Sequence, residues 1–184
     1  MQALIEGQGN FGSIEGDSAA APRYTEARLE AFTEKDMLED LSLSVPFQPN
    51  YDGKLMEPEV LPAKIPYFLL NGSEGIAVGM TTSTPSHNLA ELINLILAYM
   101  KNPEMSLEEM LRIMPGPDFP TGGMVANKDD LAEIYATGQG KLRLRGKLVF
   151  EKKQGKNDRD KLVITEIPYT MVGAGISKFM QDVA

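Results

Sequence analysis

Five prolines crowd the stretch from Pro46 to Pro66, and they constrain the fold of this chain more than any other feature of its sequence. Proline fixes the φ angle and has no amide hydrogen, so a long helix cannot pass through this stretch. The run Tyr51-Asp52-Gly53 adds a turn signal. We therefore expect a domain boundary or a connector of short, non-helical pieces here.

Helical periodicity is clearest after the connector. Six apolar residues in the range 89–100 recur at the spacing of one helix face, and Asn88 in front of them is a favourable N-cap. Ser106 and Glu109 form a capping box at the start of a second helix. Two shorter helices are predicted at residues 129–136 and from about residue 173 onward.

Before the connector, residues 25–43 carry apolar side chains at near-helical spacing, which predicts a helix. Thr33 followed by Asp36 resembles another capping box and predicts one break in it. Strands are predicted elsewhere from alternating apolar residues and turn signals. They are a short strand within residues 4–24, two strands around the glycine-bearing loop of 67–80, one strand over 141–148 and its partner over 161–167. Together these elements predict an α+β fold class.

The composition excludes several kinds of site. The chain of 184 residues has no cysteine, which rules out disulfides, thiolate nucleophiles and thiolate zinc sites. Its single histidine argues against a histidine metal cluster or a serine triad. No run approaches the roughly 20 apolar residues of a membrane span, and the start lacks the features of a signal peptide. We expect a cytoplasmic protein without a membrane anchor.

The negative charge of the chain is unevenly distributed. The formal net charge of −8 argues against nucleic acid, because lysine and arginine dominate phosphate binding. Residues 141–161 nevertheless contain nine Lys or Arg against three Asp or Glu, a local net of +6 that leaves −14 on the rest. Lys141, Arg143, Arg145 and Lys147 alternate with uncharged residues, which predicts one charged face of a strand. A solvated face is the simpler interpretation, and DNA contact through Arg143 and Arg145 is the alternative.

Two glycine-rich runs invite comparison with nucleotide sites. Gly7, Gly9 and Gly12 match G-x-G-x-x-G, but a dinucleotide site needs a helix directly after the motif, and the polar residues 16–18 intervene. The glycines of the 72–79 run match neither that motif nor a phosphate-binding loop. We interpret the first run as turns or close backbone packing, and we expect neither run to bind a nucleotide.

Tyr24 follows Arg23 where the N-terminal loops give way to the predicted helix. A phenol with a pKa of about 10 is only about one-thousandth ionised at pH 7, so a nucleophilic tyrosine needs a nearby cation or base. Arg23 and a helix N-terminus would supply positive charge. An isolated Arg-Tyr pair is nevertheless more often a packing feature than a catalytic one. The single histidine, His87, is interpreted as a hydrogen-bonded turn residue without a chemical role.

Longer runs of sequence indicate a protein family more specifically than the Arg23-Tyr24 pair does. EGQGNFGSIEGDSAAAPRYTEARL closely resembles the active-site segment of the A subunits of bacterial type IIA DNA topoisomerases, which are DNA gyrase and topoisomerase IV. The resemblance continues in the same order through NYDG, LPAKIP, LLNGSEGIAVGM, PSHNL, PGPDFPTGG and TGQGK. It therefore covers nearly the whole chain, and it implies the DNA-cleaving subunit of an ATP-dependent type II topoisomerase.

The resemblance implies roles for individual residues. Tyr24 would attack a DNA phosphodiester and form a 5′-phosphotyrosyl link, while Arg23 would stabilise charge on the phosphoryl oxygens. Ile76 matches an aliphatic wedge that enters the minor groove, inserts between base pairs and kinks the duplex. Ser73 and Lys64 lie in matching stretches and are expected to contact phosphates. Lys64 fits a solvated charge at the end of a strand equally well.

The resemblance also implies an architecture and partners. Residues 1–41 would be the end of a winged-helix domain that carries the tyrosine, and residues 42–184 a mixed α/β tower domain that is incomplete at its C-terminus. A homodimer of A subunits would join two B subunits on double-stranded DNA as an A2B2 assembly. No cofactor or metal is expected on this chain, because magnesium and ATP belong to the B subunit in this family.

Some alternatives stay open at the level of sequence. Pro22 stands where methionine is most often expected in the family, and it fixes the backbone just before Arg23. Gyrase and topoisomerase IV are not separated, although EPEVLPAKIP slightly favours the latter. A noncatalytic, DNA-bending paralogue with the same fold is the alternative to an enzyme. Because much of the family's length is absent from these residues, we expect the chain alone to cleave no DNA.

Overall fold

The computed structural model describes residues 1–13, 16–153, 155, 159–171 and 173–183. Helices and short strands alternate along the chain, and the strands of the described residues pair antiparallel in two-stranded sheets. The strands are β1 (Ile5–Gln8), β2 (Glu26–Leu29), β3 (Phe47–Pro49), β4 (Met56–Pro58), β5 (Ser73–Ala77), β6 (Met80–Thr84), β7 (Met124–Val125), β8 (Leu144–Arg145), β9 (Lys147–Glu151) and β10 (Lys161–Glu166). The α-helices are α1 (Ala31–Thr33), α2 (Leu41–Ser44), α3 (Tyr67–Leu70), α4 (Leu89–Lys101), α5 (Leu107–Ile113), α6 (Leu131–Thr137) and α7 (Ala174–Val183). The predicted mixture of helices and strands is confirmed.

The N-terminal strands β1 and β2 pair across the loops between them. Ile5 stands opposite Leu29, and an ion pair of 2.7 Å joins Glu6 to Arg28 on the same two strands. The helix predicted from residue 25 is therefore wrong over Glu26–Leu29. These residues favour helix intrinsically, but pairing with a distant strand overrides that weak preference.

Helix begins at Ala31 and continues through a π-helical turn over Glu34–Leu38. The predicted capping box is wrong, because Thr33 lies inside the helix and its hydroxyl donates to the Leu4 carbonyl over 2.7 Å. The chain leaves the helix after Leu38, and Asp40 has a left-handed φ of 62° before α2 begins. The single predicted break exists, but it comes later than the sequence indicates.

The first of the two strands predicted within residues 67–80 is also wrong, because Tyr67–Leu70 form the one-turn helix α3. A run of four apolar residues fits a buried helical turn as well as a strand, and Leu70 at its end is buried in the core. The predicted hairpin is displaced along the chain. It consists of β5 and β6 around a turn at Val78 and Gly79.

The helices α4 and α5 confirm their capping predictions. The Asn88 side chain accepts hydrogen bonds from the amides of Ala90 and Glu91, and Ser106 with Glu109 forms a complete capping box. The helix predicted over 129–136 appears as a 3₁₀ turn followed by α6, and the C-terminal helix as α7. The core lies where α3, α4 and the end of α5 meet. Its buried residues are Leu70, Leu92 and Met114, flanked by the half-buried Ile65, Tyr67, Leu69, Leu89, Leu95 and Ile96.

The single strand predicted over 141–148 is divided in two. β8 pairs with β7, whereas β9 pairs with β10, and Gly146 lies between them. A Cβ at Gly146 would lie 2.8 Å from the Glu166 carbonyl oxygen, so the backbones approach closely at this point. The partner strand predicted over 161–167 is confirmed as β10.

Contacts join the residues before position 42 to those after it. The Gln2 amide donates to Asn71 Oδ1 over 2.7 Å, and Asn71 Nδ2 donates back to the Gln2 carbonyl over 3.0 Å. Phe32 packs its ring edge-on against Tyr67. The predicted boundary between residues 41 and 42 stays a prediction. Of the helices in the described part of the chain, none is both long and apolar enough to cross a membrane.

Candidate functional site

Tyr24 ends a 3₁₀ turn, Pro22–Tyr24, that connects two extended segments. Pro22 occupies the first position of the turn, where its fixed φ angle suits helical backbone. The Tyr24 amide donates to the Ala21 carbonyl over 2.9 Å, and both the amide and the hydroxyl of Thr25 donate to the Pro22 carbonyl over 3.2 Å. Tyr24 is 67 % exposed. A hydrogen-bonded turn therefore presents this tyrosine to solvent.

Arg23 lies over the face of the Tyr24 ring, with its guanidinium carbon 4.8 Å from the ring centroid. A guanidinium in this position is attracted by the ring quadrupole. The helix N-terminus predicted to follow Tyr24 is wrong, because Thr25 is extended (φ −120°, ψ 149°) and leads into β2. Positive charge beside Tyr24 thus comes from the Arg23 side chain and not from a helix dipole.

The loop after β1 packs against the turn that carries Tyr24. The Asn10 carbonyl accepts a hydrogen bond of 3.0 Å from the Ala20 amide, and Asn10 Oδ1 accepts one of 2.8 Å from the Gly12 amide. At Gly9, a Cβ would lie 2.9 Å from the Tyr24 carbonyl oxygen. The interpretation of this glycine run as turns and close backbone packing is confirmed, because no helix follows Gly12 in the described residues before the 3₁₀ turn.

The hairpin of β5 and β6 carries two of the predicted DNA-binding residues. Ile76 is 90 % exposed near its tip, and Val78 in the turn is fully exposed. Ser73 is half-buried at the base of the hairpin, three residues before Ile76. Met80, at the start of the returning strand, is also exposed. The tip of the hairpin therefore exposes three apolar side chains.

Lys64 is engaged with the N-terminal segment. Its Nζ donates to Glu39 Oε2 and to the Lys35 carbonyl, each over 2.8 Å. The hydrogen bond and charge of Glu39 raise the pKa of Lys64, but an exposed ion pair of this kind contributes little to stability. A phosphate contact by Lys64 would have to compete with Glu39.

The predicted row of four basic side chains does not lie on one strand. Arg145 is opposite Met124 in the sheet of β7 and β8, and Arg143 precedes that strand. Lys147 belongs to the neighbouring sheet and forms an ion pair of 3.1 Å with Glu166. Arg143 and Arg145 are exposed, so the basic surface predicted from the sequence is reduced at one end by an internal ion pair.

His87 is a buried structural residue. Its Nδ1 lies 2.7 Å from the Leu69 carbonyl oxygen and its Nε2 lies 2.6 Å from the Tyr135 hydroxyl. Burial lowers the pKa of His87, against the opposing influence of its hydrogen bond to Leu69 and of two nearby carboxylates. The interpretation of His87 as a hydrogen-bonded residue is confirmed.

A buried polar pair, Asp36 and Tyr67, was missed by the sequence analysis. Asp36 Oδ2 and the Tyr67 hydroxyl are both buried without a hydrogen-bond partner. Burial is the main cause that raises the pKa of Tyr67 to about 12, and the negative charge of the Asp36 carboxylate adds to the increase. In the sequence Asp36 resembles a capping residue, and only its placement beside α3 reveals this pair.

The residues singled out from the sequence lie on different elements. Arg23 and Tyr24 lie on one turn, and Ser73 and Ile76 lie on one hairpin. Lys64 lies against the segment 35–39, and Arg143 and Arg145 lie at β8.

Known proteins resemble this chain over most of its length. A family model for the A subunits of DNA gyrase/topoisomerase IV matches residues 1–184. The DNA gyrase A subunit of Leptospira biflexa is 50 % identical over 170 residues, which are 91 % of this chain and 20 % of that relative. The DNA gyrase A subunit of Buchnera aphidicola is 52 % identical over 167 residues, or 90 % of this chain and 20 % of the relative.

A relative from a plant gives the same result. The chloroplastic/mitochondrial DNA gyrase A subunit of Nicotiana benthamiana is 48 % identical over 180 residues, which are 97 % of this chain and 19 % of the relative. The chain thus spans about one fifth of the length of the curated relatives it matches. Since the family model covers it from residue 1 to residue 184, the chain belongs to the family of DNA gyrase/topoisomerase IV A subunits.

Proposed function

We propose that this chain is the strand-cleaving part of the A subunit of a bacterial ATP-dependent type II topoisomerase, with Tyr24 as the nucleophile. The observation that carries the proposal is the exposed Tyr24 side chain on a hydrogen-bonded turn, with the Arg23 guanidinium over its ring. Membership of the family supports it, and the similar relatives from Leptospira and Buchnera are gyrase subunits, which favours gyrase over topoisomerase IV.

The reaction is a transesterification that conserves the number of phosphate ester bonds. The Tyr24 oxygen attacks the phosphorus, the bond from phosphorus to the 3′ oxygen breaks, and a 5′-phosphotyrosyl link forms. The phenolic proton is released, and the 3′ oxygen takes up a proton and leaves as a hydroxyl. Arg23 stabilises the charge that develops on the phosphoryl oxygens. Attack by the 3′ hydroxyl reverses each step and reseals the strand.

DNA is held beside this site by residues of other elements. Ile76, at the exposed tip of its hairpin, acts as the wedge that unstacks a base step, and the cost of about a few kcal/mol is offset by the larger contact of a bent duplex. Ser73, Lys64, Arg143 and Arg145 contact phosphates. The exposure of the two arginines supports this role more directly than the ion pair of Lys64 does.

The complete protein works with partners in the cytoplasm, in an A2B2 assembly on double-stranded DNA. Residues 1–41 belong to its winged-helix domain and residues 42–184 to its tower domain. Among the described residues no three His, Cys, Asp or Glu side chains are grouped so that they could hold a metal ion. The proposal places magnesium and ATP on the B subunit, as the resemblance to the family implies. No step of the reaction is routed through them.

The proposal is tested by trapping the covalent intermediate. The A subunit that contains this chain is combined with supercoiled DNA and its B subunit, and the protein is denatured during turnover. We expect wild type and Tyr51→Phe to yield DNA-linked protein, because Tyr51 is a fully exposed tyrosine in the turn between β3 and β4, and Tyr24→Phe to yield none. An adduct with Tyr24→Phe would refute the assignment. Bent but uncleaved DNA with wild type would instead favour the noncatalytic paralogue.

A further inference from the structure

We infer that Gly9 is a positioning residue for the Tyr24 nucleophile, because its lack of a side chain lets the Tyr24 turn lie against the end of β1. The inference rests on the proposed function, in which Tyr24 attacks DNA. Gly9 directly follows β1, and Thr25 directly precedes β2, so the two residues face each other at the end of the paired strands.

The space at Gly9 is filled by the backbone of the turn. A Cβ on Gly9 would lie 2.9 Å from the Tyr24 carbonyl oxygen, 3.2 Å from Thr25 Cγ2 and 3.4 Å from Thr25 Cα. The φ angle of Gly9 is 107°, a conformation that residues with a side chain rarely adopt. The closest of these atoms belongs to the main chain and cannot move aside by a change of rotamer.

A displacement at this point would be transmitted to the nucleophile. The turn is closed by hydrogen bonds from Tyr24 to Ala21 and from Thr25 to Pro22, so its residues move as a unit. The Ala20 amide also donates to the carbonyl of Asn10, the residue after Gly9, so the same loop is bonded to the segment just before the turn. In-line attack tolerates little misplacement, since an error of about 1 Å can lower a rate by about a hundredfold.

The test compares two glycines with similar backbone strain. Gly16 has a φ of 104°, but among the described residues a Cβ there would meet only the Cα of Gly173, at 3.6 Å. Gly9→Ala and Gly16→Ala therefore impose similar strain, and only the first pushes on the Tyr24 turn. Both changes are made in the assembled complex of the A and B subunits. The rate of covalent adduct formation in a single turnover, the affinity for DNA and the melting temperature are measured for each.

We expect Gly9→Ala to lower the cleavage rate about tenfold or more while DNA affinity stays within about threefold of wild type, and Gly16→Ala to retain most of the cleavage rate. Equal cleavage rates in the two variants would overturn the inference. Loss of DNA binding together with a lower melting temperature in Gly9→Ala alone would also overturn it, because Gly9 would then serve the fold in general. If wild type itself forms no adduct, the proposed function fails instead.

Discussion

His87 Nε2 lies 2.6 Å from the Tyr135 hydroxyl oxygen, and this hydrogen bond joins the start of α4 to α6. The bonding pattern assigns the tautomer of the imidazole. Nδ1 must donate, because its partner is the Leu69 carbonyl oxygen at 2.7 Å, and a carbonyl can only accept. In the neutral ring Nε2 is then an acceptor, and the Tyr135 hydroxyl is its donor.

Removal of that donor should destabilise the fold. In Tyr135→Phe the buried Nε2 loses its partner, and an unsatisfied buried acceptor costs about 1–3 kcal/mol. We expect a loss of that size in the free energy of unfolding, measured by urea denaturation. Tyr99→Phe is the matched control, because Tyr99 is exposed on α4, and its effect should stay within about 0.5 kcal/mol. Similar losses in the two variants would contradict the role of the buried bond.

The same histidine makes stability depend on pH. Burial lowers the pKa of His87 in the folded state, whereas in the unfolded state it is about 6.5. Below that value the unfolded chain binds a proton that the folded chain resists, so the stabilising contribution present above about pH 6.5 is lost as the pH falls toward the folded-state pKa. The slope contributed by one such group is at most about 1.4 kcal/mol per pH unit.

This dependence can be isolated with His87→Gln, which removes the titrating group. Urea denaturation at about pH 7.5 and about pH 5.5 should show a larger loss of stability for wild type than for the variant over this interval. The charges of Glu91 and Asp118 near the imidazole act in the opposite direction and reduce the effect. A variant that loses as much stability as wild type would rule out His87 as the source.

Local sequence signals predicted the helices α4 and α5 because their determinants lie within a few residues. Asn88 caps one helix, and Ser106 with Glu109 caps the other, through contacts between near neighbours. The segments that form β2 and α3 depend on distant partners instead. β2 exists because it pairs with β1, and α3 because Leu70 is buried against α4, so neither conformation is encoded by its own residues.

The candidate site shows the same limit. Similarity of sequence singled out Tyr24, Arg23 and Ile76 as candidates, because they lie within runs that resemble the family's sequences. It could not predict that Lys64 is paired with Glu39, since the two residues are 25 positions apart and meet only through the fold. The contact of Gly9 with the Tyr24 carbonyl is of the same kind. Geometry between distant segments has to come from the structure.

The hairpin tip allows a specific test of the wedge. Ile76 and Val78 are neighbouring, exposed aliphatic residues, so changing either to alanine should leave the melting temperature unaltered. In the assembled enzyme we expect Ile76→Ala to reduce the DNA bend, measured by energy transfer between the duplex ends. A loss of about 1–2 kcal/mol of wedge interaction would lower cleavage about tenfold. Val78→Ala should retain the bend, and equal effects of the two changes would contradict a single wedge.

The division of the basic segment between two sheets predicts unequal roles for its charges. Arg143 and Arg145 are exposed beside β8, whereas Lys147 is already neutralised by Glu166 at 3.1 Å. Each phosphate contact contributes about 0.9 to the slope of log affinity against log salt concentration. Replacing both arginines by alanine should therefore reduce that slope by up to about 1.8 if each binds one phosphate. Lys147→Ala should change it little. A slope that none of these changes alters would mean that the arginines form only a solvated face, because charges that bind no phosphate release no counterions.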